Sequence, residues 1–345
     1  MKAIENIMTL KTAAVAVIAA LIMITSAYAG DLEPSAPPGS TMKTLRQIEP
    51  RSAISAAVLP LTITQSGSFY LIEDVNYTGA ATAITITADD VSIDLNGFCL
   101  RGPGKDAGTT AGGIYASSQN NIAVTNGTVS DFPRRGIYLG GNNHQITELM
   151  ACDNGFDGIE TENATIIDCQ TRGNDECGIE AEYSVIVNCI ASENGEEGFS
   201  VEYSTVTGCF SSSNSSYGIT SWQGCSLTDC YLTSNSYGIF TTYYTTITDC
   251  TARYNTHGGF YTSSLCAISG CQSINNGLDG IYAAVGCRVR ANSLRENGRY
   301  GLNLASSSNY AVRNTAADNT SGDFQDGDPS SNHMPTTGDN ANYGF

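Results

Sequence analysis

Apolar and polar residues alternate in short runs along most of this chain, and the runs recur on a fixed period. A glycine followed by isoleucine, phenylalanine or leucine stands at Gly113, Gly136, Gly158, Gly178, Gly198, Gly218, Gly238, Gly259, Gly280 and Gly301. After steps of 23 and 22 residues the intervals are 20, 20, 20, 20, 21, 21 and 21. The alternation after each glycine keeps one phase (Ile159/Thr161, Ile179/Ala181, Phe199/Val201, Ile219/Ser221, Ile239/Thr241). A second apolar column, Ile166, Ile186, Val206, Leu227, Ile247, Ile268 and Val289, falls three residues before a ladder of Cys169, Cys189, Cys209, Cys230, Cys250, Cys271, Asn292 and Asn314. Five residues after each ladder member comes an asparagine, from Asn174 to Asn319. Such a period marks a solenoid whose units stack to share one core. The runs are short, rich in β-branched residues and broken by Gly, Asn and Ser, with no 3.6-residue helical pattern between them. Three short strands per turn, stacked in register, predict an all-β parallel β-helix of ten or eleven coils, roughly 50 Å long at ~4.8 Å per coil. A propeller or sandwich would need longer units or irregular strand spacing. The repeating asparagine is expected to take a left-handed backbone and to hydrogen-bond along the stack.

The N-x-x-x-G-I turns and I-x-x-(C/N)-x-x-x-x-N steps, from about Gly113 to Asn319, resemble those of right-handed parallel β-helix proteins of the pectin-lyase-like superfamily. Residues 61–102, LTITQSGSFYLIEDV…AITITADDVSIDLNGFCLRG, look like the opening coils of secreted bacterial members. The resemblance implies a right-handed fold. It leaves activity open, because that superfamily includes lyases, hydrolases, epimerases, tailspikes and proteins with no known activity. Neither a paired-aspartate and Gly-His-Gly pattern of polygalacturonases nor a clear lyase arginine motif is present.

Four segments follow. Residues 1–29 read as a secretory signal, with Lys2 and Lys11 ahead of a short apolar run and Ala27-Tyr28-Ala29 as the cleavage site. Residues 30–60 read as a Pro/Ser/Ala-rich linker, 61–321 as the β-helix, and 322–345 as a polar, acidic tail. A secreted monomer is expected. The formal charge is −18, and losing the leader, with two lysines and one glutamate, makes it −19. That balance argues against nucleic acid as a partner, and no basic amphipathic stretch suggests a membrane surface. An anionic polysaccharide would need a bridging cation.

Twelve cysteines in an exported chain suggest disulfides, yet the period places six of them in one inward column. Stacked Cα atoms lie ~4.8 Å apart with parallel Cβ vectors, which keeps the Cβ atoms beyond the ~3.8 Å of real bridges. Free thiols filling the core are therefore expected, with Cys225, Cys266 and Cys287 forming a second inward set. One or two inter-coil bridges are the alternative. Cys177, beside Gly178, is expected to be exposed in a turn.

Candidate chemistry lies on the outward side of the Gly-Ile strand. Glu160/Glu162, Glu180/Glu182 and Ser200/Glu202 occupy three successive coils, fed by turns carrying Asp153, Asp157, Asp175, Glu176, Glu193, Glu196 and Glu197. Carboxylates stacked ~4.8 Å apart repel. They must remain solvated, hold a proton, or bind a hard cation. Calcium held by Glu160, Glu180, Glu182 and Glu202 is one reading. Another is a catalytic pair drawn from Glu160, Glu162, Glu180 and Glu182, with Arg135 as base or clamp and Arg172 as a further candidate. Trp222, Phe240, Tyr261 and Tyr282, further along, offer rings on which sugar faces could stack. The scattered His144, His257 and His333 form no metal triad. Polysaccharide binding or processing along this face is the expectation, and a non-catalytic structural or adhesive surface protein is the alternative.

Overall fold

The computed structural model describes residues 43, 49–327 and 341–344; the leader, most of the linker and His333 lie outside the described residues. The chain divides into two units, Met1–Pro50 and Arg51–Phe345, and the second holds the strands. Each coil gives one strand to a parallel sheet of thirteen, from Leu61–Ile63 to Gly322–Asp326. The other sides of the coils form a second sheet of twenty-four short strands. Stacking is in register: Ile159 pairs with Ile179, Ile179 with Phe199, and Phe199 with Ile219. The column of Ile166, Ile186, Val206 and Leu227 stacks in the same way on the second sheet. Both columns are fully buried, at roughly 1.5–3 kcal/mol per large side chain.

Thirteen coils replace the expected ten or eleven. Ten strands carry the Gly-Ile-type dipeptide, while Leu61–Ile63, Ile84–Ile86 and Gly322–Asp326 complete the sheet without it. The glycine is needed where coils approach closely. A Cβ at Gly178 would lie 2.7 Å from the Gly198 carbonyl oxygen and 2.8 Å from the Asn194 amide. The first two strands precede the asparagine ladder and escape that constraint. Thirteen coils at ~4.8 Å make a solenoid about 60 Å long. Strand structure also reaches past residues 61–321: Ser52–Ile54 pairs with Phe69–Leu71, and Tyr343–Gly344 pairs with Thr315–Ala316.

The corners of each coil are single left-handed residues spaced five apart, such as Tyr183, Asn188 and Glu193, with φ of 49°, 54° and 57°. The left-handed residue is therefore the one before the ladder asparagine, not the asparagine itself as expected. That one-residue offset leaves each ladder asparagine buried, where its amide serves its neighbours. Asn174 Nδ2 donates to Asn194 Oδ1 at 3.0 Å, and Asn194 Nδ2 to Asn214 Oδ1 at 2.9 Å. The cysteine column runs parallel to this ladder. All twelve cysteines are free thiols, and ten are buried. At the end of their column Cys271 N–H donates to Asn292 Oδ1, and Asn292 Nδ2 to Asn314 Oδ1. Cys177 is also buried, contrary to expectation, packed between Asp157 and Glu197 of the adjoining coils. Its thiol donates to Glu197 Oε2 at 3.4 Å.

Candidate functional site

The residue after each Gly-Ile points out of the thirteen-stranded sheet, and register stacks these residues in one column. Tyr115 pairs with Tyr138, Tyr138 with Glu160, Glu160 with Glu180, and Glu180 with Ser200. The same column continues as Phe240, Tyr261 and Tyr282. A second column, one residue before the glycine, holds Arg135, Asp157, Cys177 and Glu197, linked by Gly N–H to carbonyl bonds between coils. The two columns meet at the acid patch.

Asp157, Glu160 and Glu180 have carboxylate oxygens all within 4.8 Å of one another. Arg135 binds two of them: its Nε donates to Asp157 Oδ2 at 3.3 Å, and it forms an ion pair with Glu160. Its guanidinium also lies over the rings of Tyr138 and Phe156, at 5.5 and 5.6 Å. Asp157 is 1% exposed and accepts the Cys177 N–H at 3.0 Å. Burial, and next the Glu180 charge, push the Asp157 carboxyl up to about 6, because a desolvated carboxylate beside another is costly. Burial also raises Glu180, with Glu182 and Glu176 adding to the shift against the opposing pull of Arg135. Glu176 is raised first by burial and then by Asp157. The carboxyls of Asp157, Glu180 and Glu176 are therefore weaker acids than isolated ones. Its all-oxygen donor set suits a hard cation such as calcium, with Arg135 already in place as a competing positive charge.

The structure brings Glu160 and Glu180 together and adds Asp157 to them. Glu162, Glu182 and Glu202 stand two residues further along their strands, with Glu182 in register with both others. Arg172 faces Glu193 across 3.8 Å on the exposed surface. Phe240, Tyr261 and Tyr282 stack at 5.2 and 4.7 Å, and Tyr217 joins them on Phe240 at 4.9 Å. Trp222 is not part of this stack. The column position on its strand is Thr220, paired with Phe240, and Trp222 lies two residues on, 53% exposed, with Nε1 donating to Ser200 Oγ at 3.4 Å. Sequence reasoning missed Tyr115 and Tyr138, which stack at 5.2 Å beside Arg135. The signal was present in Gly-Gly-Ile-Tyr at residues 112–115 and Arg-Gly-Ile-Tyr at 135–138, in the same phase as the acids. Beside these tyrosines opens a cavity of about 270 Å³, also lined by Thr82, Thr110, Arg134 and Arg135. No helix among the described residues is long and apolar enough to cross a membrane.

Two overlapping stretches, residues 112–248 and 227–320, match the family model described as the right-handed β-helix region. No curated protein sequence matches the chain. Similar solved structures include the periplasmic alginate epimerase AlgG, at 13% identity and TM-score 0.56, covering 77% of this chain and 83% of that one. The A-module of the mannuronan C-5 epimerase AlgE4 from Azotobacter vinelandii is 15% identical with TM-score 0.50, over 74% of this chain and 81% of that one. The catalytic unit of an α-1,3-glucanase from Streptomyces thermodiastaticus is 13% identical with TM-score 0.53, over 78% of this chain and 59% of that one. At these identities the likeness is one of fold alone. With most of the repeat region matched, the chain belongs to the right-handed β-helix family.

Proposed function

We propose that this protein is exported and binds polysaccharide along the outward Gly-Ile face, with the Asp157–Glu160–Glu180 patch as the place where a glycan would be processed. The observation that carries the reading is the junction of two unlike features. Three converging carboxyls, of which burial makes Asp157 and Glu180 weaker acids, sit beside a tyrosine-walled, arginine-lined cavity. Rings that stack on sugar faces, together with acids able to give or take a proton, are what glycan chemistry requires. Glu160 and Glu180, half-buried rather than sealed like Asp157, are the pair able to reach a substrate. The polysaccharides named for the epimerases and the glucanase of the same fold make this substrate class the natural first test.

Calcium would be held by Asp157, Glu160 and Glu180, and would have to displace Arg135 from the first two. The experiment is a polysaccharide array followed by calorimetry and product analysis, with and without calcium. Glu180→Gln is expected to abolish turnover while retaining binding within a few-fold, and Arg135→Ala to increase the stabilisation by calcium. Absence of binding to every polysaccharide would reject the proposal. Binding without any product would favour a non-catalytic adhesive rod. That second reading draws support from surface aromatic pairs outside the patch, the exposed Tyr183 on Tyr203 at 5.0 Å and Phe210 on the half-buried Tyr231 at 5.6 Å.

A further inference from the structure

The column before the stacked glycines carries a side chain on eight of its ten coils: Arg135, Asp157, Cys177, Glu197, Tyr217, Tyr237, Asp279 and Tyr300. The two exceptions are Gly112 and Gly258. Neither has a left-handed backbone, so conformation does not demand glycine there. A Cβ at Gly112 would meet nothing closer than 3.5 Å, whereas one at Gly258 would sit tightly against the Tyr237 ring at 3.1 Å and the Asp279 carbonyl oxygen at 3.2 Å. What the two glycines have in common is a missing side chain over a cavity. The first is the one of about 270 Å³ beside Tyr115, and the second, of about 250 Å³, lies beside Tyr261.

The two cavities are built from the same parts. Gly112-Gly113-Ile114-Tyr115 is answered by Gly258-Gly259-Phe260-Tyr261, and on the following coil Arg135-Gly136-Ile137-Tyr138 by Asp279-Gly280-Ile281-Tyr282. Each has a stacked tyrosine pair, Tyr115 with Tyr138 at 5.2 Å and Tyr261 with Tyr282 at 4.7 Å. Each also has an arginine held by a buried aspartate. Asp157 and Asp279 are the only buried carboxyl residues among the described residues. Asp279 takes Arg299 in a two-point bond, Nε at 2.8 Å and the terminal nitrogen at 2.6 Å, and also accepts Asn303 Nδ2 at 2.9 Å. The acid and the base exchange order along the stack, but both cavities present a stacked tyrosine wall beside an immobilised guanidinium.

We infer that the two cavities are equivalent subsites, each taking one unit of the same repeating polymer, so that one long glycan strand engages both. This rests on the polysaccharide reading above. From Gly112 to Gly258 is seven coils, about 34 Å at ~4.8 Å per coil. A single sugar ring or short oligomer therefore fills one cavity at a time. A strand long enough to span both binds its second subsite intramolecularly, a gain of roughly 10²–10⁴ in avidity when the geometry allows it. Cavities of this size lie just under the usual range for drug-sized ligands, ≈ 300–1,000 Å³, and so suit one or two rings.

The test uses size-fractionated oligomers of each polysaccharide that binds on the array, titrated by calorimetry against the full chain. Affinity is expected to rise at least tenfold once the oligomer spans about 34 Å, with stoichiometry falling from two oligomers per chain to one. Gly258→Tyr, a residue the column already accepts at Tyr217 and Tyr237, should abolish the rise and leave one short-oligomer site. Tyr282→Ser, which removes one stacking ring without adding bulk, should reduce the rise if Gly258→Tyr disturbs Tyr237. A flat dependence on length, or an undiminished rise in both variants, overturns the two-subsite inference while leaving polysaccharide binding intact. If no polysaccharide binds at all, the functional reading falls first and this inference with it.

Discussion

Asp157 is sealed between coils with its carboxyl raised to about 6, and so carries a proton that an unfolded aspartate loses near 4. Between those two values the native chain binds more protons than the unfolded one. Stability must therefore fall as pH rises through that window and level off above it. Asp157→Asn keeps an acceptor for the Cys177 N–H and removes the titration. Its stability relative to the parent is expected to rise by on the order of 2 kcal/mol between pH 4 and pH 7. Thermal melts of both proteins across pH 4–8 check this. Parallel pH profiles would mean that Asp157 titrates as an ordinary aspartate. This residue was legible in sequence only as one of several turn acids. Its burial depends on Arg135 and Cys177 of adjacent coils, which no local pattern reveals.

The asparagine ladder shows how an element of this fold is stabilised across coils rather than within them. Asn214 Oδ1 accepts both the backbone N–H and the side-chain amide of Asn194, at 3.0 and 2.9 Å, while Asn214 Nδ2 reaches Asn235 Oδ1 and the Ala191 carbonyl. Asn214→Ala would leave several of these buried groups without partners, at about 1–3 kcal/mol each. A loss of about 3 kcal/mol or more is expected in chemical denaturation. Thr205→Ala, exposed on the strand Thr205–Thr207 of the same coil, should cost less than 1 kcal/mol. Equal losses would show the ladder to be incidental. The ladder's position was plain from its period, but its backbone was not. The left-handed corners are filled by Tyr183, Glu193, Leu265, Ala291 and Arg313 among others. Asn, Asp and Gly fill many of the other corners, such as Asn163, Asp168, Asn188 and Gly208, but the exceptions blur that signature, because stacking against neighbouring coils holds residues that would not adopt this conformation alone.

Across the whole solenoid, each coil touches only its neighbours, so opening is expected to start at the ends and at exposed edges. The free thiols report on it directly. Cys99 and Cys152 are partly exposed, whereas Cys169, Cys189, Cys209, Cys230, Cys250 and Cys271 are buried. Burial pushes the Cys152 thiol up to about 12 and raises Cys225 as well, which favours the unreactive form. Alkylation followed by peptide mass spectrometry should modify Cys99 first in rising denaturant and Cys209, in mid-stack, last. Full labelling of the six-member column in native buffer, or its recovery as disulfides, would contradict the packing.

By itself the sequence determined what repetition can encode. The period, the inward phase of Ile159, Ile179 and Phe199, and the columns of cysteine and asparagine all follow from identical demands made once per coil. It also placed Glu160 and Glu180 on one outward face, since alternation within a strand is a local property. Only the tertiary structure decided what depends on contacts between coils. It set the total of thirteen turns, because the end coils lack the glycine that close packing imposes further in. It buried Cys177 and Asp157, drew Arg135 into the acid patch, and moved Trp222 out of the aromatic stack in favour of Tyr217. Each of these depends on what the neighbouring coil places ~4.8 Å away, a distance that 20 or more residues of chain separate in sequence.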